Sequence, residues 1–227
     1  MSNLDPWFET PAVKGESVER GNADGEFDLP TNYAARIIPF SGRLLCSGPS
    51  QVRAAANRLA GLLHGGLVTM QVTDAGGTTW AKVKRNGPTV PVKVNDRMLR
   101  FQFDLKAPDP RKFGAVQSVP AGVGSATPIQ NRGNYPATPV IVVAGPVSAG
   151  GYTVTGPGGE VFTVTTSPTA GITHLINMHD GLLRVNGSIS AGAGLVSRAD
   201  TFTIPPGGKL NVTLSKGGRV ELYDTYI

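Results

Sequence analysis

From Ala115 to Ile227 the sequence holds no helical period. Its apolar residues come in short runs that recur about every eight to twelve residues, with glycine or proline between them. The runs are Pro139–Ala144, Tyr152–Thr155, Val161–Thr165, Ile172–Asn177, Leu182–Val185, Thr201–Ile204, Leu210–Leu214 and Arg219–Tyr223. Short strands at that spacing bury their inward faces only against a second sheet. Residues 135–227 are therefore expected to form a β-sandwich of jelly-roll type.

The preceding part reads differently. Arg100–Gly114, "RFQFDLKAPDPRKFG", begins as a strict alternation, with Phe101, Phe103 and Leu105 on one side of a strand. Pro108 and Pro110 then stop the ladder, because proline has no N–H to donate. That stop sets the expected domain boundary. Residues 1–114 form an N-terminal α+β domain, residues 115–134 a linker leading into the first strand of the sandwich, and residues 135–227 the sandwich itself. The fold class expected for the whole chain is mainly β.

Within the first domain, Glu19–Asn32 is polar and turn-rich and reads as an exposed loop or hairpin arm. Tyr33–Leu45 reads as a strand with a bulge or edge at Pro39 and Gly42. One helix is expected over about residues 49–64, capped by Ser47 or Gly48 and ended by Gly65-Gly66. Its apolar stripe (Val52, Ala55, Ala56, Leu59, Leu62, Leu63) is expected in the core. "LVTMQVT" and "TTWAKVKRN" around "DAGG" make a hairpin, and a short "VPVKVN" strand follows.

Charge is unevenly spread. Residues 1–40 carry seven acids and three bases, residues 41–113 twelve bases and four acids, and the rest is nearly balanced. A basic middle segment raises nucleic-acid binding, but its cations are dispersed, with no arginine-rich run and no binding motif. The favoured reading is that acidic and basic parts of neighbouring copies meet across an interface.

No constellation for catalysis emerges, and none is expected for a cofactor or metal. His174 and His179 are five residues apart, which on a strand places them on opposite faces even with Asp180 adjacent. His64 ends the helix, and Cys46 reads as a small buried thiol. The glycine-rich pieces lack the lysine and helix of a phosphate loop. The few sandwich carboxylates, such as Glu160 and Asp224, show no pairing pattern. Tyr135, Tyr152, Tyr223 and Tyr226 keep a glycan-binding module open as a rival reading. No apolar run approaches the roughly 18 residues of a membrane span, so no membrane insertion is expected.

Three pieces carry a likeness. They are Asp24–Leu44 ("DGEFDLPTNYAARIIPFSGRL"), the pair "WAKVKRN" and "RFQFDLKAPDPRKFG", and the C-terminal set "NRGNYPATPVIVVAG", "LLRVNG" and "TFTIPPGGKLNVTLSKGGRVELYDTYI". Together they resemble the distal tail protein family of long-tailed bacteriophages over about residues 24–227. The resemblance implies an N-terminal ring-forming domain, a β-barrel-like sheet plus one helix, and a galectin-like sandwich after it. It implies a structural virion protein at the distal end of the tail, assembled in the host cytoplasm as a homo-oligomeric ring of six. The implied partners are the tail tube protein, the tail-tip hub protein and, in some relatives, tape-measure and receptor-binding proteins. Genomic DNA would pass through the lumen without specific binding. On that picture Glu16, Glu19, Asp24, Glu26 and Asp28 are candidate lumen-facing acids. Lys82, Lys84, Arg85, Arg111 and Lys112 are candidate inter-subunit or inter-domain contacts.

Overall fold

The structure is a computed structural model and describes residues 5–15, 17–190 and 194–227. By its contacts the chain divides into two units, Met1–Ala75 with Trp80–Arg111 and Ile227, and Gly76–Thr79 with Lys112–Tyr226.

The first unit opens with a single-turn helix, α1 (Asp5–Phe8), followed by the paired short strands β1 (Val13–Lys14) and β2 (Asn32–Tyr33). Then come β3 (Arg36–Leu45), α2 (Pro49–Ala60), β4 (Val68–Asp74), β5 (Gly77–Asn95) and β6 (Met98–Ala107). β6 pairs antiparallel with β3 on one side and with β5 on the other, and β4 pairs with β5. One face of this sheet holds a core of Trp7, Ile38, Val72, Ala81, Val83, Phe103, Leu105 and Ala107. Phe101 and Phe40 pack against it, stacked on Phe103 with ring centroids 5.9 and 5.6 Å away. The alternation read in Arg100–Lys106 is this core face.

Buried Arg36 ties the unit together. Its Nη1 donates to the carbonyls of Pro6 (3.0 Å), Trp7 (3.1 Å) and Glu9 (2.5 Å), and its Nε donates to Pro110 (3.2 Å). The guanidinium therefore satisfies the open C-terminal carbonyls of α1 and the carbonyl of the second proline of the stop. Burial lowers its pKa from the usual guanidinium range.

Several expectations are corrected here. β3 pairs with β6 in unbroken register from Arg36 to Leu45, so it has no bulge. Pro39 is tolerated because β3 lies last in its sheet, and Gly42 because the Phe101 ring lies against its backbone. The register shift falls instead in β5, between Asn86 and Val90, where Gly87 adopts φ +78°. Because of it "TTWAKVKRN" and "VPVKVN" form one long strand rather than two. α2 stops at Ala60 rather than near residue 64, and Leu63 sits at φ 60° in the turn beyond it. Of its apolar stripe only Val52 is buried. Leu62 is exposed and the others are half-covered.

The second unit holds β7 (Lys112–Ala121), β8 (Ala126–Gln130), β9 (Val140–Ala144), β10 (Tyr152–Thr155), β11 (Val161–Val164) and β12 (Thr173–Asn177). β13 (Leu182–Val185), β14 (Ser188–Ile189), β15 (Val196–Ala199), β16 (Lys209–Leu214) and β17 (Gly218–Tyr226) complete it. One sheet runs β8-β16-β10-β11-β15, and strands β14-β13-β12-β9-β17-β7 form the facing layer. Between them lie Phe162, Ile141, Ile176, Ile204, Leu214 and Leu222, all essentially free of solvent. This is the sandwich. Residues 115–134, expected as a linker, instead carry most of β7 and all of β8. Their Pro120 and Pro128 mask the strand pattern, and Pro128 fits because β8 is an edge strand. Thr201–Ile204 is not a strand beyond one bridge from Ile204 to Ala137, and β15 takes up Val196–Ala199.

The "NRGNYP" piece gains a physical reason. Asn131, fully buried, donates from Nδ2 to the carbonyls of Tyr135 (2.7 Å) and Ile204 (3.2 Å). Its Oδ1 accepts from the N–H groups of Gly133 (3.0 Å) and Thr225 (3.3 Å). Gly133 has to be glycine, since a Cβ there would lie 1.8 Å from the Thr225 carbonyl oxygen. Asp224, also buried, accepts at Oδ1 from Gln117 Nε2 (2.8 Å) and the Arg132 N–H (2.9 Å).

Candidate functional site

The sites that sequence raised for ligands do not assemble. His174 is buried with Nδ1 3.1 Å from the Tyr152 hydroxyl, while His179 is exposed in the turn after β12. Asp180 beside it pairs with Arg184 at 2.5 Å, and that hydrogen bond holds its carboxyl below the usual carboxylate range. Among the described residues no three His, Cys, Asp or Glu side chains converge as metal ligands. Tyr152 cannot serve as a sugar platform, because it is buried, and burial raises its pKa above the usual phenol range. Tyr135 and Tyr226 are half-buried, and Tyr223 is exposed with an edge contact to Phe113 at 6.2 Å. Cys46 is half-buried rather than fully buried, and it lines a groove of ≈ 490 Å³ with Leu44, Leu45, Gln51, Ala54, Ala55 and Arg58.

What stands out is uncovered apolar surface, and it is concentrated in the first unit. Among the described residues, fourteen large hydrophobic ones are exposed there against five in the second, although the second has the larger core. Nine of the fourteen fall in three places. The groove beside α2 exposes Leu44 and Leu45, and Leu62 stands exposed just beyond that helix. The far half of β5 exposes Val90, Val92 and Val94. The segment between β1 and β2 exposes Val18, Phe27 and Leu29. An exposed leucine alone means little, but several such sets gathered on one unit point to an interaction surface.

That last segment is an arm. Every described residue from Ala12 to Asn32 is exposed. Its two legs are held by the Phe27 N–H donating to the Val18 carbonyl (2.9 Å) and the Arg20 N–H donating to Gly25 (3.1 Å). Glu19 and Glu26 face each other across the legs, Ser17 Oγ donates to the Glu26 carboxylate, and the Arg20 guanidinium lies over the Phe27 ring at 5.6 Å. Four of the candidate acids, Glu19, Asp24, Glu26 and Asp28, are on this arm and exposed, and Glu16 lies outside the described residues. Among the candidate cations, Lys82 donates to Thr69 Oγ1 (2.7 Å) and Arg85 donates to the Ala60 carbonyl at the end of α2 (2.8 Å). Arg111 holds Asp109 at 2.7 Å, Lys112 is buried, and Lys84 is exposed. Sequence patterning missed the apolar side of the arm, because Val18, Phe27 and Leu29 are scattered among acids, glycine and proline.

No family model and no curated protein matches the sequence. Solved structures do match the fold. The SPP1 Dit (gp 19.1) protein, described as a paradigm of the hub adsorption apparatus in Gram-positive infecting phages, superposes with a TM-score of 0.77 at 15% identity. The match covers 96% of this chain and 90% of that one. The chain has the fold of a phage distal tail protein. A component of the phage P2 baseplate in its activated, Ca-containing conformation matches less closely, with TM-score 0.54, 8% identity and coverage of 96% and 90%. At these identities the likeness shows the fold alone, so the assembly surfaces rest on this chain's own geometry. Among the described residues no helix is long and apolar enough to cross a membrane.

Proposed function

We propose that the chain is a structural virion protein, the distal tail protein of a long-tailed phage, and that six copies close into a ring through their N-terminal units. The observation that carries this is the uneven apolar surface on a distal-tail fold. The N-terminal unit leaves its hydrophobic arm, groove and strand end uncovered, while the sandwich has a complete core. Burying such surface between copies contributes about 25 cal/mol per Å², and a specific contact needs on the order of 1,000 Å². The ring joins the tail tube to the tail-tip hub, lets DNA through its lumen, and sits in the tail of the virion after assembly in the host cytoplasm. Tape-measure and receptor-binding proteins are further partners of such a ring. Its role is one of binding and positioning, with no reaction assigned.

Mass photometry and negative-stain imaging of the purified chain test this. A six-membered ring is the expected result. A strict monomer that binds sugars through the exposed face of Tyr223 overturns it in favour of a glycan-binding module.

A further inference from the structure

The face of the β3–β6–β5 sheet turned away from the core carries two cation pairs in register. Arg43 lies directly opposite Arg100, and Lys84 opposite Lys106. Like charges opposite one another across a strand pair are destabilising. Among the described residues none of the four makes an ion pair. Exposed Ile37, Val90 and Val92 stand among them on the same face. Asp104, half-buried between Arg100 and Lys106 on β6, faces the same way, which leaves four cations against one carboxylate at the paired positions of that face. A surface of this kind, apolar and net cationic, fits an occupant that is apolar between carboxylates.

The chain itself contains one. The arm alternates Val18, Phe27 and Leu29 with Glu19, Glu26 and Asp28, and none of those acids makes an ion pair among the described residues either. Glu19 and Glu26 repeat the same like-charge opposition with the other sign. Each leg between the β1–β2 pair and the tip is about nine residues, a reach of up to about 30 Å at the usual rise of an extended chain. The ten residues of β3 span a similar length. Placing the same acids in a water-filled lumen accounts for their charge but leaves a phenylalanine and a leucine in water beside them.

We propose that the arm of residues 17–29 lies across the outer face of β3–β6–β5 of a second copy, with its carboxylates against the two cation pairs on either side of Asp104. This rests on the reading of the chain as a self-assembling ring and supplies its contact. Arm and face are different parts of the surface, so the contact is heterologous, head to tail. Repeated around an axis, such a contact closes a ring instead of stopping at a dimer.

The test is a charge swap in the full chain, read by mass photometry against protein concentration. R43E/R100E and E19K/E26K each place like charges together, which costs several kcal/mol at an interface. Each is expected to raise the concentration of half-assembly by about tenfold or more. The combined four-site variant is expected to return toward the wild-type value, which also shows that each half folds. Assembly of the wild type with both reversals unaffected overturns this contact and leaves the ring intact, with the acids returned to the lumen. Equal loss in the reversals without recovery in the combined variant also overturns it. A wild type that stays monomeric at every concentration overturns the ring reading and this contact with it. Duplex DNA retained by the wild type, released by R43E/R100E and without effect on assembly, assigns the face to nucleic acid and overturns the proposal.

Discussion

Two buried polar residues decide how the sandwich responds to change. Asn131, itself fully buried, uses both donors and both acceptor positions on backbone groups, and its bonds to Ile204, Gly133 and Thr225 are buried as well. Asn131→Ala therefore strands several buried groups at once. A loss of about 2–4 kcal/mol is expected from urea unfolding, with Asn131→Asp failing to recover it because the two donors are gone. His174 acts through its proton. Burial lowers its pKa below the ordinary value of 6.5, so between those two pKa values the unfolded chain binds more protons than the folded one. Stability is then full above about pH 6.5 and falls as the pH drops toward the folded pKa. The urea midpoint measured between pH 8 and pH 5 should fall, and His174→Gln should flatten that slope while the Tyr152 hydroxyl keeps a partner.

At the scale of elements, what could be read from sequence was what depends on local period. The core face of β6, the hairpin of β4 and β5, and most strands of the sandwich follow from alternation and turn residues. Among the strands that escaped were β7, where Pro120 breaks the pattern inside a strand flanked by β17 and β5, β8, where Pro128 does so at a sheet edge, and β15, whose residues are mostly exposed. At Gly42 the pattern allows a bulge or an edge; β3 is the edge, and sequence cannot show that a distant ring covers the glycine. An alanine Cβ at that position would stand 2.6 Å from Phe101 Cζ. Gly42→Ala should cost about 1–3 kcal/mol by pushing that ring out of its stack on Phe103. The cost should largely vanish in a Phe101→Ala background, since contacting sites are not additive. If it persists there, the strain lies in the backbone of β3 instead.

For the whole molecule, the helix stripe is the most instructive case. Its spacing is that of a core helix, yet only Val52 is buried by its own chain. Period reports that a face wants covering and says nothing of whether the cover comes from the same copy. Leu45, 85% exposed beside the groove next to α2, and Leu62 just beyond that helix fit cover from another copy. Leu45→Ser with Leu62→Ser should then move the unfolding midpoint of the monomer only slightly, because Leu45 stays almost wholly in water in the folded monomer and Leu62 is only part-covered. The same pair should raise the concentration of half-assembly by about tenfold or more, since each buried leucine is worth roughly 1.5–3 kcal/mol. Val123→Ser with Ile189→Ser, equally exposed on the sandwich, should change neither quantity. Equal effects from the two pairs on assembly would mean that the sandwich, too, contributes to the contact between copies.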